Sequence, residues 1–158
     1  MHRDTLSIEQ KEHRAQMAVA EFLFRELLVP KVYLEAEWPK RGQRVDVMAI
    51  DRSGAGDLHV VEVHVGTGGS QQSWERLMQV PAHYKYIALF ENRNHWPAGQ
   101  LFEPHGMGRI GIIQVSEEGS ELRAALRVRP ERFRLTSEIF KQVDRFTASH
   151  PPHIEVRP

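Results

Sequence analysis

The chain contains no cysteine. That excludes disulfides, thiolate metal centres and cysteine nucleophiles together, and it points to a reducing compartment. No apolar run approaches the roughly 20 residues needed to span a bilayer, and the opening MHRDTLSIEQ lacks the apolar core of a signal peptide. The expectation is a soluble cytoplasmic protein with no membrane partner. Net charge is missing too, since 21 Lys and Arg balance 21 Asp and Glu. Such a balance argues against a partner held by bulk electrostatics. Several catalytic signatures are also absent. There is no Gly-x-Ser-x-Gly, no His-Glu-x-x-His among nine histidines, and the Gly66-Thr67-Gly68-Gly69-Ser70 loop lacks the Gly-Lys-Ser/Thr of a Walker loop.

What is present fits one domain over residues 1–158, with 151–158 as a loosely held tail. The 158 residues, 41% of them hydrophobic, are enough to bury a core. Charge is segregated along the chain: residues 46–120 carry 5 basic and 9 acidic groups, whereas 121–158 carry 8 and 5. A polarised binder is therefore compatible with zero net charge. Met17, Ala20, Phe24, Leu27 and Leu28 recur at helical spacing. They follow a cap at Thr5 or at Ser7, the latter with Gln10 at capping-box distance, and Pro30 closes the pattern. Val32–Trp38 reads as a strand. RVDVMAI (44–50) and LHVVEVHV (58–65) read as a hairpin. A helix follows around Trp74, Leu77 and Met78. Then come the strands YKYIALFE (84–91), RIGIIQV (109–115) and ELRAALRV (121–128), and a last helix from about Thr136 to His150. The order α-β-β-β-α-β-β-β-α implies an α/β fold, a mixed β-sheet flanked by helices.

Chemistry concentrates in the hairpin. Alternation places Asp46, Met48 and Ile50 on one face of its first strand, and Val60, Glu62 and His64 on one face of its second. A turn centred near Gly54 sets Asp46 directly across from Glu62. Two opposed carboxylates repel unless something compensates, and a divalent cation does so naturally. Oxygen donors on a rigid sheet favour Mg²⁺ or Mn²⁺, and His64, on the face of Glu62, suits a general base. A plainer reading pairs Asp46 with Arg44 or Lys85 and leaves Glu62 and His64 on a solvent face.

A helix, a strand pair carrying RVD46V and VVE62VH64, a helix with Gln79 and the strand YKYIALFE together resemble the PD-(D/E)XK nuclease-like superfamily over residues 12–128. The resemblance implies a restriction-endonuclease-like core and divalent-metal-dependent hydrolysis of phosphodiesters in nucleic acid, DNA above RNA. It implies Mg²⁺ or Mn²⁺ held by Asp46, Glu62 and the Val63 carbonyl, with Asp46, Glu62, His64 and Gln79 as catalytic residues. The chain departs from the family where His64 replaces the motif lysine, with Lys85 as a possible migrant into that role. The acidic residue often supplied by the first helix falls on Glu12, Gln16 or Glu21. Arg44 and the alternating Arg123, Arg127 and Arg129 are candidate phosphate contacts. The alternative function is an inactive member of the same fold that binds nucleic acid or protein, a homodimer included.

Overall fold

In a computed structural model of the chain, residues 7–51, 56–65, 70–90 and 110–155 are described. The elements run α1 (Ile8–Arg25), β1 (Lys31–Glu37), β2 (Arg44–Asp51), β3 (Asp57–Val65), α2 (Ser70–Gln79), β4 (Tyr84–Phe90), β5 (Gly111–Glu118), β6 (Glu121–Val128), α3 (Ser137–Ser149) and β7 (Ile154–Glu155). This is the expected order with β7 added. The tail expected to hang loose is instead anchored: His153 N–H donates to Val32 O at 2.7 Å, and β7 pairs with Lys31 and Val32. Residues 156–158 and the glycine loop 66–69 lie outside the described residues.

Ser7 opens α1 through a capping box. Its hydroxyl accepts from Gln10 N–H, and Gln10 Oε1 accepts from Ser7 N–H at 2.9 Å. The helix buries Ala15, Gln16, Val19, Ala20, Phe22 and Leu23 and ends before the expected stop. Leu28 adopts φ +56° and is 74% exposed, so it leaves the apolar stripe to which its spacing assigned it.

The sheet order is β6-β5-β4-β3-β2-β1-β7, with β3, β4 and β5 mutually parallel and every other neighbouring pair antiparallel. Helix α2 forms the crossover that parallel pairing of β3 with β4 requires. Each face has its own core. Val32, Val47, Ala49, Val61, Ala88 and Ile113 pack beneath Val19 and Leu23 of α1. Met48, Ile50, Val60, Ile87 and Ile112 pack beneath Leu77 of α2 and Val143 and Phe146 of α3. Between β4 and β5 the ring of Tyr86 lies so close to Gly111 that a Cβ there would sit 2.7 Å from it. Among the described residues, no helix is long and apolar enough to cross a membrane.

The register of β6 on β5 shifts between Ile112 and Ile113, a bulge of one residue. Leu122, Ala124 and Leu126 consequently pack on the α1 side and Val128 on the other. The bulge falls at Arg127 and β6 ends at Val128, so strand alternation does not carry the expected one-sided arginine row on to Arg129.

Candidate functional site

The ladder joining β2 to β3 pairs Ile50 with Leu58, Ala49 with His59, Met48 with Val60 and Val47 with Val61. Continued by one step, this register sets Asp46 across from Glu62, as expected from the sequence; the turn residues 52–55 lie outside the described residues. The ladder then stops. Val45 and Arg44 pair with Ala36 and Glu37 of β1, while Glu62–Val65 pair with Ile87–Phe90 of β4, so the two strands part into a fork. A backbone donor released by such parting needs a new acceptor. Val63 N–H finds one in Asp46 Oδ2 at 2.8 Å. The carboxylate thereby takes the place of a ladder carbonyl and is fixed between the two strands.

The neighbouring backbone contributes to this placement. Glu35 of β1, in register with Asp46, holds a left-handed φ of +48°, and the β1–β2 ladder skips that pair. On either side of Asp46, Val45 faces the α2/α3 core and Val47 the α1 core, although residues two apart in a regular strand share a face. The strand is wrenched at the position that carries the carboxylate.

A cleft of ≈ 520 Å³ opens at the fork. Asp46, Glu62, Val63 and His64 form its base, Arg76 and Gln79 reach it from α2, and Trp38, Gln43 and Arg44 close the β1–β2 side. Glu12 borders it from α1. Of the three residues left open on the first helix, Glu12 is therefore the one at the site. Gln16, one turn on, is buried with Oε1 unpartnered and does not line the cleft, and Glu21 lies in a separate groove with Arg25 and Glu121.

Glu62 is only 4% exposed. Burial, then the Asp46 carboxylate beside it, push its pKa up to about 8, against a lowering pull from Arg76. The Arg76 Nη2 atom stands 3.4 Å from Glu62 Oε2. Sequence reasoning singled out Gln79 and passed over Arg76, although the two are three apart on one helix and so share a face. His64 Nε2 is buried with no hydrogen-bond partner.

Other candidates lie elsewhere. Lys85 Nζ donates to Met78 O at 3.0 Å and sits 4.7 Å over the Phe133 ring, so it ties down the end of α2 and is absent from the cleft lining. Burial lowers its pKa. Arg123 and Arg127 lie on the far edge strand, three strand spacings from β3, or roughly 14 Å. There Arg123 pairs with Glu118 at 2.8 Å and Arg127 donates to Gln114 Oε1 at 2.6 Å. Arg44 is thus the one phosphate-contact candidate of the four that the fold brings to the cleft. Two further histidines are structural. His83 Nδ1 accepts from Leu58 N–H at 2.8 Å, and His59 Nδ1 lies 2.9 Å from Tyr86 OH with its ring stacked on Tyr84.

Two adjacent carboxylates and a backbone carbonyl at Val63 suit a hard cation that keeps most of its water, as Mg²⁺ does. They do not suit a closed all-protein cage. Among the described residues, no group of three His, Asp or Glu side chains is gathered tightly enough to hold a metal ion.

Fold and cleft together define an α/β protein with a forked hairpin at the edge of its parallel strands. The sequence matches no family model and no curated protein. Among solved structures it is similar to the SPO1766 protein of unknown function from Silicibacter pomeroyi, with a TM-score of 0.62 and 20% identity, over 88% of this chain and 85% of that one. At that identity the likeness concerns the fold.

Proposed function

We propose that the cleft is a divalent-metal-dependent phosphodiesterase site that cleaves nucleic acid, with DNA as the substrate, in a member of the PD-(D/E)XK nuclease-like superfamily. The observation that carries this reading is the convergence of Asp46 and the buried Glu62 at the strand fork, with Val63 N–H locking Asp46 in place. Asp46, Glu62 and the Val63 carbonyl would hold Mg²⁺ or Mn²⁺. The ion, when bound, supplies an acidified water and charge for the scissile phosphate. His64, which lines the cleft, would supply its imidazole as the acceptor of the water proton. Gln79 and Arg44, on opposite walls, orient the phosphate. Burial of Glu62 strengthens its attraction for a cation by excluding water. The absence of cysteine suits a cytoplasmic setting.

The test is cleavage of DNA under Mg²⁺ or Mn²⁺ titration, wild type against Glu62→Ala. Loss of at least about 10³-fold in kcat is expected, the scale on which removal of a catalytic group acts. Cleavage that needs no metal, or that survives the substitution, would overturn the reading.

A second reading has its own support. The lack of a third close ligand among the described residues and the guanidinium already paired with Glu62 favour a noncatalytic module that binds nucleic acid or a protein, a second copy included. Salt-dependent DNA binding with no turnover in either metal would select it.

A further inference from the structure

We propose that Arg76 is the exchangeable cation of this cleft, standing at Glu62 Oε2 while no divalent ion is bound and turning to the substrate phosphate once one is. The inference rests on the phosphodiesterase reading above. Among the described residues, Arg76 is the one side chain in ion-pair contact with either cleft carboxylate, Nη2 to Oε2 at 3.4 Å. The pair is lopsided: the Glu62 side chain is 5% exposed and that of Arg76 62%. Glu62 is therefore fixed, and the guanidinium sits on a long stem with open space beside it. A cation held by Glu62 Oε2 competes directly with Arg76 for the same oxygen. Once displaced, Arg76 remains tethered to the last turn of α2, beside Gln79 and facing Arg44 across the cleft.

A freed guanidinium presents two parallel N–H donors, the geometry that a phosphate accepts. Position 64 does not supply a permanent positive charge, because its side chain is an imidazole. Lys85 is engaged with Met78 O and Phe133. Arg76 is thus the cation best placed to meet charge developing on a phosphate over Asp46 and Glu62.

The two roles move two measurements in opposite directions. Removing Arg76 removes a competitor for the metal and a partner for the phosphate. The full-length chain is titrated with Mn²⁺ by calorimetry, and DNA cleavage is followed under saturating Mg²⁺, for wild type, Arg76→Ala, Arg76→Gln, Arg76→Lys and the remote control Arg145→Ala. Arg76→Ala and Arg76→Gln should bind Mn²⁺ roughly threefold more tightly, the scale of a half-exposed ion pair. Their kcat should fall about 10²-fold, with KM changed far less. Arg76→Lys should recover part of kcat, and Arg145→Ala should match wild type. A merely structural Arg76 would instead weaken metal binding and thermal stability together, which overturns the proposal. Unchanged Mn²⁺ affinity, or unchanged kcat in Arg76→Ala while Glu62→Ala is inactive, also overturns it and leaves the phosphodiesterase reading intact. Wild-type protein that neither binds Mn²⁺ nor cleaves DNA overturns both.

Discussion

The hairpin has a closed half and an open half. In the closed half, Met48 and Ile50 face Val60 and Leu58 with the ladder intact, and all four are essentially inaccessible to solvent. In the open half the ladder is gone, and Asp46, Glu62 and His64 replace aliphatic side chains at the same alternating positions. The same backbone thus carries a core at one end and a cleft at the other. Where strands stay paired, a side chain contributes through packing. Where they part, it must also satisfy the backbone, and a carboxylate can do so while leaving an oxygen for other chemistry.

This contrast predicts that substitutions in the two halves differ in size and even in sign. Met48→Ala should destabilise the protein by about 2–5 kcal/mol in urea unfolding, because a filled site becomes a cavity. Glu62→Gln at pH 8.5 should do the reverse and raise the melting temperature of the metal-free protein. A loss of stability comparable to that of Met48→Ala would break the comparison.

The pH dependence sharpens it. Glu62, raised in the fold to about 8, contributes stability that is present below its ordinary carboxyl range and lost as pH rises toward 8. His59 sits in the closed half, where burial depresses its pKa to about 4. Its contribution is full above the ordinary histidine value of 6.5 and is lost as pH falls toward 4, by about 3 kcal/mol at most. Melting temperatures across pH 4.5–8.5 should therefore fall on the alkaline side in wild type and flatten there in Glu62→Gln. Between pH 4.5 and 6.5 the two slopes oppose, so His59→Gln should let the fall due to Glu62 run unopposed from the acid side upward.

Smaller effects follow. Asp46→Ala orphans Val63 N–H and should destabilise by about 1–3 kcal/mol, whereas Asp46→Asn keeps an acceptor oxygen and should lose less. Glu35→Gly relaxes a left-handed backbone and should gain under about 1 kcal/mol, read from the shift in urea midpoint. If it also lowers cleavage, the wrench at Asp46 matters to the site.

Much of this architecture is legible in the residues themselves. Period-two runs locate the strands, the Ser7–Gln10 box locates the start of α1, and the turn at Gly54 yields the β2–β3 register. The parts that are not legible share a cause. A fork, a left-handed Glu35 and a bulge in β6 are departures of a single residue from regular geometry, and no side-chain pattern announces them. They nevertheless decide that Asp46 joins the cleft and that the arginine row breaks, and Leu28 leaves the core stripe through a left-handed φ of its own. The choice of Glu12 over Gln16 and Glu21 depends on how α1 lies across the sheet, which its own periodicity does not contain. Arg76 was within reach, one helical turn before Gln79.

Trp38 has a practical consequence. Its indole is 1% exposed, donates Nε1–H to Pro81 O at 2.8 Å and meets the Phe146 ring edge-on, yet it also lines the cleft. One chromophore thus touches both the cleft and the α3 side of the core. In a chain with Trp74 and Trp96 changed to phenylalanine, its emission would be a built-in gauge, reporting occupancy of the cleft and loosening of α3 without an attached dye.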